Sequence, residues 1–254
     1  MDQMKVNAIL SALDVQGIPQ IIISDPVVIF YLTGAKIQPG ERLLALYLNR
    51  QGGHKLLVND LFRQTRDLGV EICYYNDIQD GVEILSSFAD PNAPIAIDKN
   101  WPARFLLRLQ ELGCGSRYVN SSDIVDGVRR MKTPEEREKM RRASRGNDAV
   151  MAKLVKLLSE DHTELELKEL LLKAYQSEGF QNFSFEPITA FAGNAADPHH
   201  RPDGSRGHYG DGVVLDIGGL MDDYCSDMTR TVFLGTVSDR QREIYEIVRE
   251  ANRR

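Results

Sequence analysis

Apolar residues recur at helical spacing over residues 4–13, with Val6, Ile9, Leu10 and Leu13 on one side, and the run Ile21-Ile22-Ile23 behind them predicts a short buried strand. Residues 42–49 and 55–58 flank Gln51-Gly52-Gly53 and read as the two strands of a hairpin. A polar helix over 60–68, strands over 70–75 and 95–97, and a helix over 102–112 with Phe105, Leu106 and Leu109 on one face follow. Such alternation predicts an α/β domain, a mixed sheet flanked by helices, that closes near Tyr118.

From Met131 the pattern changes to long helices. Thr133-Pro134-Glu135-Glu136 is a capping box with proline at the first helical position. Behind it Met140, Ala143, Val150, Met151, Leu154 and Leu158 keep a 3.6-residue period, with Asn147 as the polar exception. A second capping box, Thr163-Glu164-Leu165-Glu166, opens a helix carrying Leu167, Leu170, Leu171 and Ala174 and ending at Gly179. Strand-like sequence follows from Phe183. The polar stretch within 120–132 is the boundary, giving an α/β N-terminal domain over 1–128 and an α+β domain over 129–254.

Composition narrows the class without naming it. The 254 residues are 42% hydrophobic and 27% charged, as in ordinary soluble globular proteins. The net charge of −6 comes with no long basic run, so nucleic acid is not an expected partner. No apolar stretch reaches the length of a signal peptide core or a membrane span, and the expected location is cytoplasmic. Cys73, Cys114 and Cys225 lie far apart with no CxxC pair, which suggests reduced thiols rather than disulfides or a thiolate zinc site.

Chemistry concentrates between Phe191 and Gly235. The apolar strand Gly212-Val213-Val214-Leu215 ends in Asp216 beside Gly218-Gly219, and a returning strand runs from Tyr224 to Phe233 past Asp227. A turn centred on Met221 and Asp222 would set Asp216 directly opposite Asp227, with Cβ atoms about 5 Å apart. Two carboxylates that close repel unless one is protonated or a cation lies between them, and one or two divalent ions are the natural occupants. The bland readings are that an aspartate beside Gly-Gly is a turn residue, and that His199 and His200, in a loop, are solvated. The basic residues of 132–142 alternate with glutamates and read as a solvated helix face.

Three ordered stretches, 192–199 (AGNAADPH), 209–218 (YGDGVVLDIG) and 224–231 (YCSDMTRT), closely resemble the first half of the catalytic domain of Xaa-Pro aminopeptidases and Xaa-Pro dipeptidases (prolidases). Residues 131–136 resemble that family's entry into its catalytic domain, and Ile29-Phe30-Tyr31-Leu32-Thr33-Gly34 a motif of its creatinase-type N-terminal domain. The resemblance implies a creatinase-like N-terminal domain followed by the first half of a pita-bread metallopeptidase domain. It implies two divalent ions (Mn, Co or Zn), Asp216 as a ligand of one and Asp227 bridging both. His199 would hydrogen-bond the substrate or tetrahedral intermediate, with Thr229 supporting a ligand from the same strand face. The implied reaction is hydrolysis of Xaa-Pro bonds in short proline-containing peptides by a hydroxide activated between the metals, with no nucleic-acid or membrane partner and homodimerisation left open.

The family's remaining ligands, a histidine and two glutamates, belong to the second half of the pita-bread domain, which these residues lack. The expectation is a truncated chain, inactive alone, with an apolar face exposed. Two rival readings stay open: a peptidase-like binding module without catalysis, and a metal-free hydrolase of creatinase type.

Overall fold

In the computed structural model, which describes residues 1–254, the triple-isoleucine run forms β1 (Gln20–Ile23), buried on both faces. β1 pairs antiparallel with β2 (Ala45–Asn49) and parallel with β5 (Pro94–Ile97). β3 (Lys55–Asn59) joins β2 antiparallel, while β4 (Glu71–Tyr75) joins β3 and β6 (Arg117–Asn120) joins β5 in parallel. The result is a six-stranded mixed sheet of order β4-β3-β2-β1-β5-β6. On one face Ile21 and Ile23 belong to a core with Val6, Ile9 and Leu13 of α1 (Gln3–Asp14), Ile29 and Leu32 of α2 (Pro26–Thr33) and Val125 of α5 (Ser122–Arg130). On the other, Ile22 belongs to a core with Leu85 of α3 (Gly81–Ser86) and Leu109 of α4 (Ala103–Glu111). A strand covered on both faces has no polar position to alternate with, hence its continuous apolar sequence.

One local expectation fails, and one helix forms where none was expected. The helix predicted over 60–68 is a single 3-10 turn, Asp60–Phe62. The Tyr74 hydroxyl accepts from the Gln64 amide at 3.0 Å, removing a donor the helix would need. The stretch 26–33, to which periodicity assigned no element, is α2. Its signals were local: Asp25 caps it, Pro26 opens it and Gly34 closes it in the left-handed region at φ 71°.

The chain divides into compact units at Met131/Lys132. In the second, both capping boxes form, at the starts of α6 (Pro134–Leu157) and α7 (Glu164–Ser177). β8 (Ile188–Phe191), β9 (Gly212–Ile217) and β12 (Met228–Phe233) make one antiparallel sheet, and β7 (Asn182–Phe183), β10 (Gly219–Met221) and β11 (Tyr224–Cys225) another. β9 alternates, burying Val213, Leu215 and Ile217 in a core shared with Leu154 of α6 and Leu167, Leu171 and Tyr175 of α7. Asn147, the polar exception on α6, is 1% exposed and satisfied. It accepts from the Tyr175 hydroxyl at 2.5 Å and donates to the Ile217 carbonyl at 3.4 Å. α8 (Asp239–Arg253) buries no residue and leaves Ile244, Tyr245, Ile247 and Val248 exposed. No helix in the structure is long and apolar enough to cross a membrane.

Gly218 and Gly219 interrupt the β9–β10 line because the chain needs backbone there without side chains. A β-carbon on Gly219 would overlap the rings of Phe180 and Tyr175, and one on Gly218 would overlap Ser184 and the Ser226 carbonyl. Gly219→Ala therefore overpacks the core beneath the strand end. We predict a loss of about 1–3 kcal/mol in urea unfolding followed by near-UV circular dichroism, and an unchanged midpoint would show that the rings move aside freely.

Candidate functional site

The position of the aspartates is set by a turn. β10 and β11 are joined by Asp222 and Asp223, both in the left-handed region at φ 51° and 67°. Two-residue hairpin turns of this hand require positive φ at both central positions, which aspartate tolerates better than methionine does. Asp222 is also tied to Arg142 of α6 by an ion pair at 2.5 Å. The turn is therefore centred one residue later than expected, on Asp222-Asp223 rather than Met221-Asp222, and every pairing moves by two. Leu220 aligns with Cys225, and Thr229, not Asp227, stands opposite Asp216.

Thr229 uses that position to donate its hydroxyl to Asp216 Oδ1 at 2.5 Å. Asp227 lies between β11 and β12. Since Gly219 exchanges hydrogen bonds with Ser226 and Ile217 pairs with Met228, Asp227 falls opposite Gly218, two residues before Thr229 and on the same face. Asp216 and Asp227 are thus diagonal neighbours, at a spacing of about 7–8 Å between α-carbons that still lets two carboxylates converge. Asp216 is half-buried; Asp227 is exposed and its carboxylate accepts no hydrogen bond. Burial, and then the charges of Asp216 and Asp227, push the Tyr175 phenol far up, so this core hydroxyl stays neutral.

The donor set fits a hard divalent cation. Both groups are carboxylates, they share a sheet face, and an ion between them removes their repulsion. It is also incomplete, since such ions take about six oxygen ligands.

His199 is exposed in the loop after β8, with its amide on Asp197 Oδ1 at 2.8 Å and its imidazole unpartnered within the chain. Its neighbour is not the solvated histidine that the sequence suggested. His200 Nε2 lies 2.6 Å from Oε2 of Glu164, a fully buried carboxylate at the first position of α7. Glu164, His200 and Asp203 bring ligand-type atoms within 4.8 Å of one another. The Glu164 oxygens are already engaged, however: Oε1 accepts from the Phe191 amide and Asn194 Nδ2, and Oε2 from the Asp203 amide. With the His200 contact these fill about four lone-pair sites, leaving a hydrogen-bonded hub rather than an open cation site. The Ser205 hydroxyl and amide hold the Asp203 carboxyl below its usual range. Sequence reasoning missed the hub because Glu164 lies inside the Thr163–Glu166 capping box and reads as one more acidic residue of a helix's first turn, although the carboxylate that caps is that of Glu166. The legible signal was a glutamate beginning the stripe that continues through Leu167 and Leu171.

Comparison with known proteins bears on the family and the fold. Residues 5–131 match the creatinase/prolidase N-terminal domain and residues 138–254 match metallopeptidase family M24. An uncharacterized peptidase of Staphylococcus aureus is 28% identical, over 97% of this chain and 71% of its own length. Among solved structures, a prolidase from Thermococcus sibiricus superposes with a TM-score of 0.90 at 26% identity, covering 99% of this chain and 71% of that one. A dipeptidase from Pyrococcus horikoshii OT3 superposes with a TM-score of 0.87 at 29% identity, covering 98% and 70%. The chain therefore belongs to the creatinase and prolidase family, with a creatinase-type N-terminal domain joined to part of a pita-bread domain of metallopeptidase family M24.

Proposed function

We propose that this chain is the part of an Xaa-Pro peptidase that carries the aspartate ligands of a two-metal centre, with short proline-containing peptides as substrates. The observation that carries the proposal is the pair of aspartates offset by two residues on one face of an antiparallel ladder, one braced by Thr229 and the other unpartnered. The prolidase and dipeptidase descriptions of its structural neighbours support the choice of substrate. Asp216 and Asp227 would hold the ions through their carboxylates. When bound, the ions supply Lewis acidity, which activates water near neutral pH and polarises the scissile carbonyl. Thr229 fixes the Asp216 carboxylate in one orientation, and the Asn147 bond to the Ile217 carbonyl anchors the backbone beside it. His199, exposed and unpartnered, is free to donate a hydrogen bond to the substrate or to the oxygen on which charge develops. A metal-free hydrolase would leave two neighbouring carboxylates uncompensated, which disfavours that alternative.

Two aspartates are too few to build such a centre by themselves, since hard divalent ions take about six oxygen ligands. We predict that the 254-residue chain binds manganese weakly and without a defined stoichiometry in titration calorimetry, and cleaves no Xaa-Pro dipeptide. Tight binding of two ions would show that the ligands are misassigned.

In an enzyme with the full ligand set, Asp227→Ala abolishes metal-dependent cleavage of an Xaa-Pro peptide, because no neighbouring carboxylate replaces it. His199→Ala leaves the metal content unchanged and lowers kcat about 10²- to 10³-fold, the scale seen on removing one donor to a developing oxyanion. Metal analysis alongside steady-state kinetics separates the two, and loss of metal from the His199 variant would make that histidine a ligand.

A further inference from the structure

The loop that presents His199 is held by one buried carboxylate. Glu164 is 0% exposed, and burying a charge is unfavourable unless its acceptor sites are filled. Its four contacts come from both sides of the histidine. Oε1 accepts from the Phe191 amide at 2.9 Å and from Asn194 Nδ2 at 3.0 Å, before His199 in the chain. Oε2 accepts from the Asp203 amide at 3.1 Å and lies 2.6 Å from His200 Nε2, after it. The main chain of Glu164 adds two more ties: its carbonyl accepts from Thr189 Oγ1 at 2.9 Å and its amide donates to the Ser205 carbonyl at 3.0 Å.

Between the two Oε1 donors sits Ala192 at φ 44°, a left-handed conformation that a residue with a β-carbon adopts only when its surroundings impose it. The Phe191 amide and the Asn194 side chain flank it, and the same oxygen grips both. The His199 imidazole makes no bond of its own within the chain, so its location follows from its backbone alone.

We propose that Glu164 is a positioning residue for His199: its buried carboxylate clamps the 191–203 loop at both ends and so sets where the imidazole is presented. The functional half of this claim rests on the substrate-binding role given to His199 above; the clamp itself does not. The four groups that the Glu164 carboxylate grips include neither Asp216 nor Asp227, so the clamp acts on the loop of the histidine and makes no bond to the metal ligands.

Glu164→Gln tests it in the full chain without metal, because glutamine keeps the size but turns one acceptor into a donor facing donors. Hydrogen exchange at the amides of Phe191 and Asp203, and across 192–200, should rise about 10- to 100-fold, with the β9 amides of Val213–Ile217 unchanged. Unchanged loop exchange, or a parallel rise in β9, overturns the clamp. If the variant does not fold, Asn194→Ala and His200→Phe each remove a single donor and leave the carboxylate in place. Local increases confined to 191–196 and 199–203 respectively support the proposal, and uniform or absent effects overturn it.

The second readout is kinetic, in the enzyme with its full ligand set. Glu164→Asp and Glu164→Gln should lower kcat with manganese binding unchanged, and Glu164→Gln should add little to the loss already caused by His199→Ala. A loosened loop with unaltered kcat overturns the positioning claim, whereas failure of the parent enzyme to cleave any Xaa-Pro peptide refutes the proposed function and leaves the exchange result standing.

Discussion

The arrangement of the candidate centre depends on the register of one antiparallel ladder. Because side chains alternate between faces, a hairpin slipped by one residue turns a ligand toward the core, and a slip of two keeps the face but changes the neighbour. The left-handed pair Asp222-Asp223 settles the choice. It sets Asp216 against Thr229 and leaves Asp227 one diagonal step away beside Gly218. Direct opposition would have forced the two carboxylates together with no room for support. The observed offset gives Asp216 a hydroxyl partner and leaves Asp227 open.

Around this ladder the helices contribute through their polar exceptions. Asn147 interrupts the apolar stripe of α6, and Glu164 begins that of α7 with a charge. Both are buried and both reach strand ends, Asn147 to the carbonyl of Ile217 beside Asp216 and Glu164 to the amide of Phe191 at the end of β8. A buried polar group is tolerated only with its partners in place, so each of these residues ties helix placement to backbone placement where the chemistry resides. The glycines work to the same end by subtraction. Gly218 and Gly219 let Tyr175, Phe180 and Ser226 close against the strand end, a packing that any side chain would prevent.

Much of this was legible in the sequence because it depends on neighbours in the chain. Capping boxes at Thr133 and Thr163, the buried run at Ile21–Ile23 and the strands leading into Asp216 and out past Asp227 all follow from contacts within a few residues. The residue types at Asp216 and Asp227 raise a cation site as one reading beside a plain turn, and it is the resemblance of the ordered motifs around them and His199 to the prolidase family that implies a metallopeptidase.

What the sequence could not decide is which distant groups meet. The helix expected over 60–68 lost its continuation to the Tyr74 hydroxyl, ten residues from the amide it captures. His200 looked solvated because its partner, Glu164, lies 36 residues earlier and reads locally as an ordinary first-turn acidic residue. The hairpin register turned on a choice between adjacent turn positions, decided by the conformational tolerance of two aspartates and by Arg142, 80 residues away. Local sequence suggests most of the elements and the chemistry they carry; hydrogen bonds between segments far apart exist only once those segments pack, and together with turn conformation they decide which side chains face one another.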